Sequence, residues 1–150
     1  MQKPNFEKIA IILLENLKKI NFRMMKFMVF LCAGPCEIEA ILVNLISELL
    51  NTKHIKFIFN DILYKDKDYV NKCKSIIPEK IRNPMFTCMM PSYRPDSIYI
   101  AVNPHTGGGD NVQLDSFMIN NLGKIHIIRG VLENDSCWDY MYTEYENQKK

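Results

Sequence analysis

Apolar residues along this chain change their period several times, and each change marks a structural element. Phe6, Ile9, Ala10, Leu13, Leu17 and Ile20 recur at helical spacing, with Glu7, Lys8, Glu15, Lys18 and Lys19 mostly opposite, which predicts an amphipathic helix over residues 4–20. Residues 26–32 form an almost unbroken apolar run, as expected of a strand covered on both faces in a parallel sheet. From Glu37 to Leu50 the helical period returns, and Asn51 and Thr52 end it. "HIKFIFN" reads as a second strand, and the polar "DILYKDKDYVNKCKSII" as a helix closed off by Pro78. "NPMFTCMM", bounded by Pro84 and Pro91, predicts a third strand, and "DSIYIAV" a fourth, stopped by Asn103 and Pro104. "VQLDSFMINNLG" is a helix that Gly123 can terminate in a left-handed conformation, and "KIHIIRGVL" is a fifth strand. The tail, which carries Trp138 and three tyrosines, is expected to pack in part before its last residues fray.

Strands alternating with helices are most economically joined by crossovers between parallel strands. The expected architecture is therefore α/β: a three-layer, Rossmann-like sheet, mostly parallel, of about five strands with helices on both faces. A length of 150 residues fits a single domain over 1–150, with an N-terminal helix in 1–23 and a packed or frayed tail in 133–150. Apolar residues make up 47% and charged residues 24%, a globular rather than a disordered composition. The net charge of +2 is too small to argue for nucleic acid, and the run from Lys65 to Lys74, interrupted by Asp66 and Asp68, reads as a solvated face.

The five cysteines are odd in number and widely spread, which favours reduced thiols in the cytoplasm or nucleus over a disulfide framework. No pair has C-x-x-C spacing and the three histidines lie far apart, so no structural metal is expected. "IAIILL" and "MMKFMVFLCAG" both fall short of the roughly 18 apolar residues of a membrane span, and no membrane partner is expected.

The first strand drops abruptly into Cys32-Ala33-Gly34-Pro35-Cys36 at the mouth of a helix. In open α/β sheets a tight turn there commonly holds a nucleotide-like ligand by backbone groups. The order of features over residues 26 to about 132 resembles the class I S-adenosylmethionine-dependent methyltransferases, a Rossmann-like family. In that family a glycine-rich turn follows the first strand, where "CAGPC" places Gly34 at the central glycine. An acidic residue at the end of the second strand binds ribose hydroxyls, and "FIFNDI" offers Asp61. An acidic residue introduces the fourth strand, as Asp96 does in "PDSIYIAVNP".

The resemblance implies S-adenosylmethionine as cofactor, held by Cys32, Ala33, Gly34, Pro35 and Cys36, by Asp61 and Ile62 after the second strand, and by Met90 after the third. It also implies a catalytic role for Asn103, Pro104 and His105. "VNPHT" is similar to the N-P-P-aromatic motif by which some members grip a target nitrogen, while an Asn-Pro turn that merely closes a strand is the other reading. His105 is a candidate general base or an exposed loop residue.

The chain departs from the family at several points. Cys32 and Cys36 replace the outer glycines, Phe30 and Leu31 stand where a carboxylate is usual, and "CMMPS" ends the third strand without an acid. "GGGD", residues 107–110, is either an anion-binding nest or a loop that caps the next helix. Cys36, at a helix start, is either a thiol of lowered pKa or one of two small buried thiols lining a turn. These departures keep a second class of function open: a catalytically inactive domain of the same shape serving as a partner-binding or regulatory subunit. Nothing in the sequence selects a methyl acceptor among RNA, DNA, protein and metabolite, and a protein partner or a second copy of the chain would suit the short sheet edge near the C-terminus.

Overall fold

The computed structural model describes residues 6–102, 116–117, 120–121 and 125–128. Within them helix α1 (Phe6–Leu17) precedes strand β1 (Phe27–Leu31), and α2 (Glu37–Leu49) leads to β2 (Lys56–Asn60). Helix α3 (Lys67–Ile76) then leads to β3 (Met85–Thr87), followed by β4 (Ser97–Val102) and β5 (Ile125–Ile128). All four strand pairings are parallel, in the order β3-β2-β1-β4-β5. This is the Rossmann-like α/β sheet that the alternating pattern predicts.

Over the described residues the elements follow the predicted ones, with ends that differ by up to three residues. One segment differs in kind: "DILYKDKDYVNKCKSII" divides into a 3-10 turn, Ile62–Lys65, and α3. Asp61 and Asp66 cause the division, because each caps a separate start: Asp61 accepts from the Leu63 amide, and Asp66 accepts from the amides of Asp68 and Tyr69. Of the helix predicted around residues 112–123, the described residues Ser116, Phe117 and Asn120 are helical.

The period of two along each strand sorts the core onto two faces. Met28 and Phe30 of β1, Phe57 and Phe59 of β2, and Ile98 and Ile100 of β4 face one cluster with Leu13, Leu17, Leu42, Val43, Ile46 and Cys73 from the three helices. Phe30, Phe59 and Phe86 stack across neighbouring strands at centroid separations of 5.4 and 5.3 Å. Val29, Leu31, Tyr99, Ala101 and Ile125 face the other way and meet Phe117, with Met90 and Tyr93 packed at the edge. No helix among the described residues is long and apolar enough to cross a membrane.

The chain runs from β1 outward to β2 and β3, then returns to lay β4 on the other side of β1. That reversal makes the space beyond the carboxyl ends of β1 and β4 the topological switch point, where open α/β sheets bind ligands. β4 ends at Val102, one residue beyond the Ala101–Leu31 pair, so both strands finish at one rim.

Candidate functional site at the carboxyl rim

The turn after β1 is built from left-handed backbone. Cys32, Gly34 and Cys36 have φ of 57°, 52° and 63°. Glycine adopts this region freely, whereas each cysteine there costs on the order of 1–3 kcal/mol. The two positions at which the resembled family has its outer glycines therefore keep a glycine-like conformation although the residues are cysteines.

What holds this strained backbone is the end of β2. Asp61 Oδ2 accepts the Gly34 amide at 2.8 Å, and Oδ1 accepts the Leu63 amide at 2.9 Å. One residue earlier, the Asn60 carbonyl accepts the Ala33 amide at 3.0 Å. The Asn60 side chain donates to the Met89 carbonyl at 2.7 Å and to Thr87 Oγ1 at 3.0 Å, which ties the segment carrying Met90 to the same rim. Below the turn, the Tyr64 hydroxyl donates to the Gly34 carbonyl at 2.7 Å and lies 3.0 Å from Cys36 Sγ. Cys73 Sγ reaches the same carbonyl at 3.5 Å.

The structure thus brings Cys32, Ala33, Gly34, Pro35, Cys36, Asp61 and Ile62 together at one rim. Ile62 is exposed and Pro35 is exposed, whereas Asp61 and Ala33 are buried. Asn103, Pro104, His105 and the 107–110 loop lie outside the described residues. Asp96 sits at the other end of β4: its carboxylate takes two 2.9 Å hydrogen bonds from Arg94, and its carbonyl accepts the Lys26 amide at 2.8 Å. Its work there is to fix the entry of β4 beside β1.

Cys36 is fully buried, and burial pushes its thiol pKa up, more than the Tyr64 hydroxyl pulls it down. Of the two readings of this residue, the structure selects the buried thiol lining a turn. The helix dipole does not produce a thiolate because the side chain points away from water, and desolvation of a thiolate outweighs a dipole effect of about 1 kcal/mol.

Glu39, Tyr64 and Asn60 are site residues that the sequence reading missed. Glu39 is 4% exposed, and its pKa is pushed up to about 8. Burial is the main cause; a hydrogen bond from its own backbone amide opposes the rise, and the charges of Asp61 and Glu37 add to it. A signal was present for Glu39, since 39, 43 and 46 follow the apolar helical period and place a carboxyl on the buried face. No pattern announced Tyr64, which reaches the turn from a four-residue 3-10 segment.

The α2 N-terminus opens onto the rim without a side-chain cap from Cys36. The stretch from Cys32 to Leu50 contains no Lys or Arg, and Glu37 and Glu39 stand in the first turn of α2. Comparison with protein-family models, with curated proteins and with solved structures gives no match for this chain. Fold and rim together define a Rossmann-like α/β protein with a structured turn at its switch point.

Proposed function

We propose that this chain is an S-adenosylmethionine-dependent methyltransferase-like protein whose cofactor site is the carboxyl rim of β1, β2 and β4. The observation that carries the reading is the docking of Gly34 on the Asp61 carboxylate, which joins the glycine turn of the first strand to the acid of the second at the switch point. Charge supports this ligand over a nucleoside diphosphate. Asp61 and exposed Glu37 disfavour phosphates at this helix start, where the stretch from Cys32 to Leu50 carries no Lys or Arg to offset them, and they suit a sulfonium.

Gly34 supplies the close approach. Among the described residues a Cβ built there would meet only Asp61 Oδ2, at 3.9 Å, so the glycine leaves its backbone approachable. Residues 32–36 would line the cofactor, the upper lone pairs of Asp61 and the apolar surface of Ile62 would border the ribose, and Met90 would bound the adenine side. The cofactor supplies the reactive methyl group. The chain contributes position and orientation, with Asn103 in the role of the acceptor-holding residue.

Calorimetric titration with S-adenosylmethionine and S-adenosylhomocysteine tests this. Saturable binding of both is expected, and no heat at millimolar ligand would overturn the reading. Gly34→Ala is expected to remain folded, at a cost of about 1–2 kcal/mol for a left-handed alanine, while weakening the ligand at least tenfold because the added methyl enters the ligand's side of the turn. Thermal melts of the variant beside its titration separate the two effects.

One observation favours the second reading, a non-catalytic domain used as a binding subunit. Asp61 is 8% exposed and already accepts two amide hydrogens, so much of its capacity goes to holding the turn. A carboxylate has about four lone-pair sites, and two remain for a ligand. The same titration separates the readings, since the scaffold reading predicts no binding of either compound.

A further inference from the structure

The amino ends of the strands form a second pole, on which the fold collects cations that the sequence scatters. Two cavities open there. The first, of about 850 Å³, lies between the end of α2 and the entries to β2 and β3 and is lined by Lys53, Lys80 and Arg82. The second, of about 520 Å³, shares Ile81 with the first and is lined by Lys56 and Lys74. These five cations face two carboxylates, Glu48 and Glu79, a local excess of three that is larger than the net charge of +2 for the whole chain. Glu48 is already engaged by Lys80 at 3.3 Å. Thr52, buried and lining the first cavity, has no hydrogen bond to its hydroxyl among the described residues.

We propose that this pole is a binding surface for single-stranded nucleic acid, with the phosphates tracked by Lys53, Lys56, Lys74, Lys80 and Arg82 along the two adjoining cavities. The parallel topology produces the surface. Every loop that enters a strand arrives at the same end of the sheet, so Lys53 and Lys56 before and at the start of β2 meet Lys80 and Arg82 before β3. Lys74 joins them because α3 runs back against the strands and ends there.

The shape decides between anionic partners. A bilayer is broad and flat and would touch the exposed cations without following the first cavity, and a lone phosphate compound would meet only one cavity. A flexible chain of phosphates can follow both, with each contact releasing a condensed counterion. The surface lies at the opposite end of the strands from the carboxyl rim, so it stands whether or not the rim holds a cofactor.

The test is fluorescence anisotropy with a labelled single-stranded oligouridylate of about twelve nucleotides, within the usual range of single-strand site sizes. Binding is expected at about 50 mM salt in the micromolar range, with log K falling against log salt at a slope of about −3.5 for five phosphate contacts. The double variant Lys53→Glu/Arg82→Glu is expected to lose at least tenfold in affinity and to reduce the slope by about 1.4. All five cations except half-buried Lys56 are exposed, so these variants are expected to fold, which circular dichroism checks. Lys65→Glu/Lys67→Glu, at the carboxyl side, is expected to bind as the parent does. The proposal is overturned by absence of binding at low salt, by equal affinity of the Lys53/Arg82 variant, or by equal loss in the Lys65/Lys67 control. Sedimentation with phosphatidylserine vesicles that is stronger than oligonucleotide binding would overturn it in favour of a membrane.

Discussion

Asp61→Ala is expected to lower the unfolding free energy by about 3 kcal/mol, measured by urea denaturation with linear extrapolation. Hydrogen bonds to a charged group contribute about 1.5–3 kcal/mol each, and this carboxylate accepts two, from the Gly34 and Leu63 amides. Alanine leaves both amides without their partner at a part-buried site, and it also releases a turn that contains two cysteines in left-handed backbone. Asp61→Asn keeps one acceptor oxygen and is expected to lose about half as much. Tyr64→Phe removes the 2.7 Å hydrogen bond to the Gly34 carbonyl and is expected to cost about 1 kcal/mol. Because Asp61 and Tyr64 act on the two sides of the same Gly34 peptide region, the double variant is expected to lose less than the sum. A loss below about 1 kcal/mol in Asp61→Ala would mean that the turn keeps its shape without the carboxylate.

Glu39→Gln is expected to stabilise the protein by a few kcal/mol at pH 9 and to remove most of the decline in stability between mildly acidic and mildly basic pH. The folded state holds the Glu39 proton up to about pH 8, whereas the unfolded chain releases it near its ordinary value of 4.5. Between those values the folded state binds the extra proton, so stability is fully present below about pH 4.5, falls as pH rises and reaches its lower level above about pH 8. The direction is opposite to that of a carboxylate held by salt bridges. Glutamine carries no charge at any of these pH values and preserves the side-chain volume, so its unfolding midpoint is expected to stay nearly level across the window. A parent protein whose stability rises from pH 5 to pH 8, with the variant following the same curve, would show that Glu39 is ionised in the fold.

How far the sequence could be read follows from the range of the interactions involved. The apolar run 26–32 and the helical period from Glu37 located β1 and α2 to within a residue or two, because burial on two faces or on one face leaves its own spacing. The junction between them was legible as a tight turn from Gly34 and Pro35, and Asp61 was legible as the acid that follows β2. Their direct contact was not, since nothing local links residues 27 positions apart. The burial of Cys36 was legible as one of two readings, but the groups that enclose it were not: Tyr64 and Cys73 lie on a later 3-10 turn and on α3. The charge pattern was the least legible feature. A run of cations can be recognised along a sequence, but Lys53, Lys56, Lys74, Lys80 and Arg82 become neighbours only when parallel strands bring their entry loops to one end.

Whether the carboxyl rim holds the cofactor is read most directly by an amide NMR titration of the 15N-labelled protein with S-adenosylhomocysteine. Saturable shifts of the Gly34, Glu37 and Ile38 amides at the switch-point turn are expected, with the amides of Ile55 and Ile81 at the far pole unmoved. Spectra in which the turn amides stay in place at millimolar ligand, or in which only the far pole responds, would contradict a cofactor site at the rim.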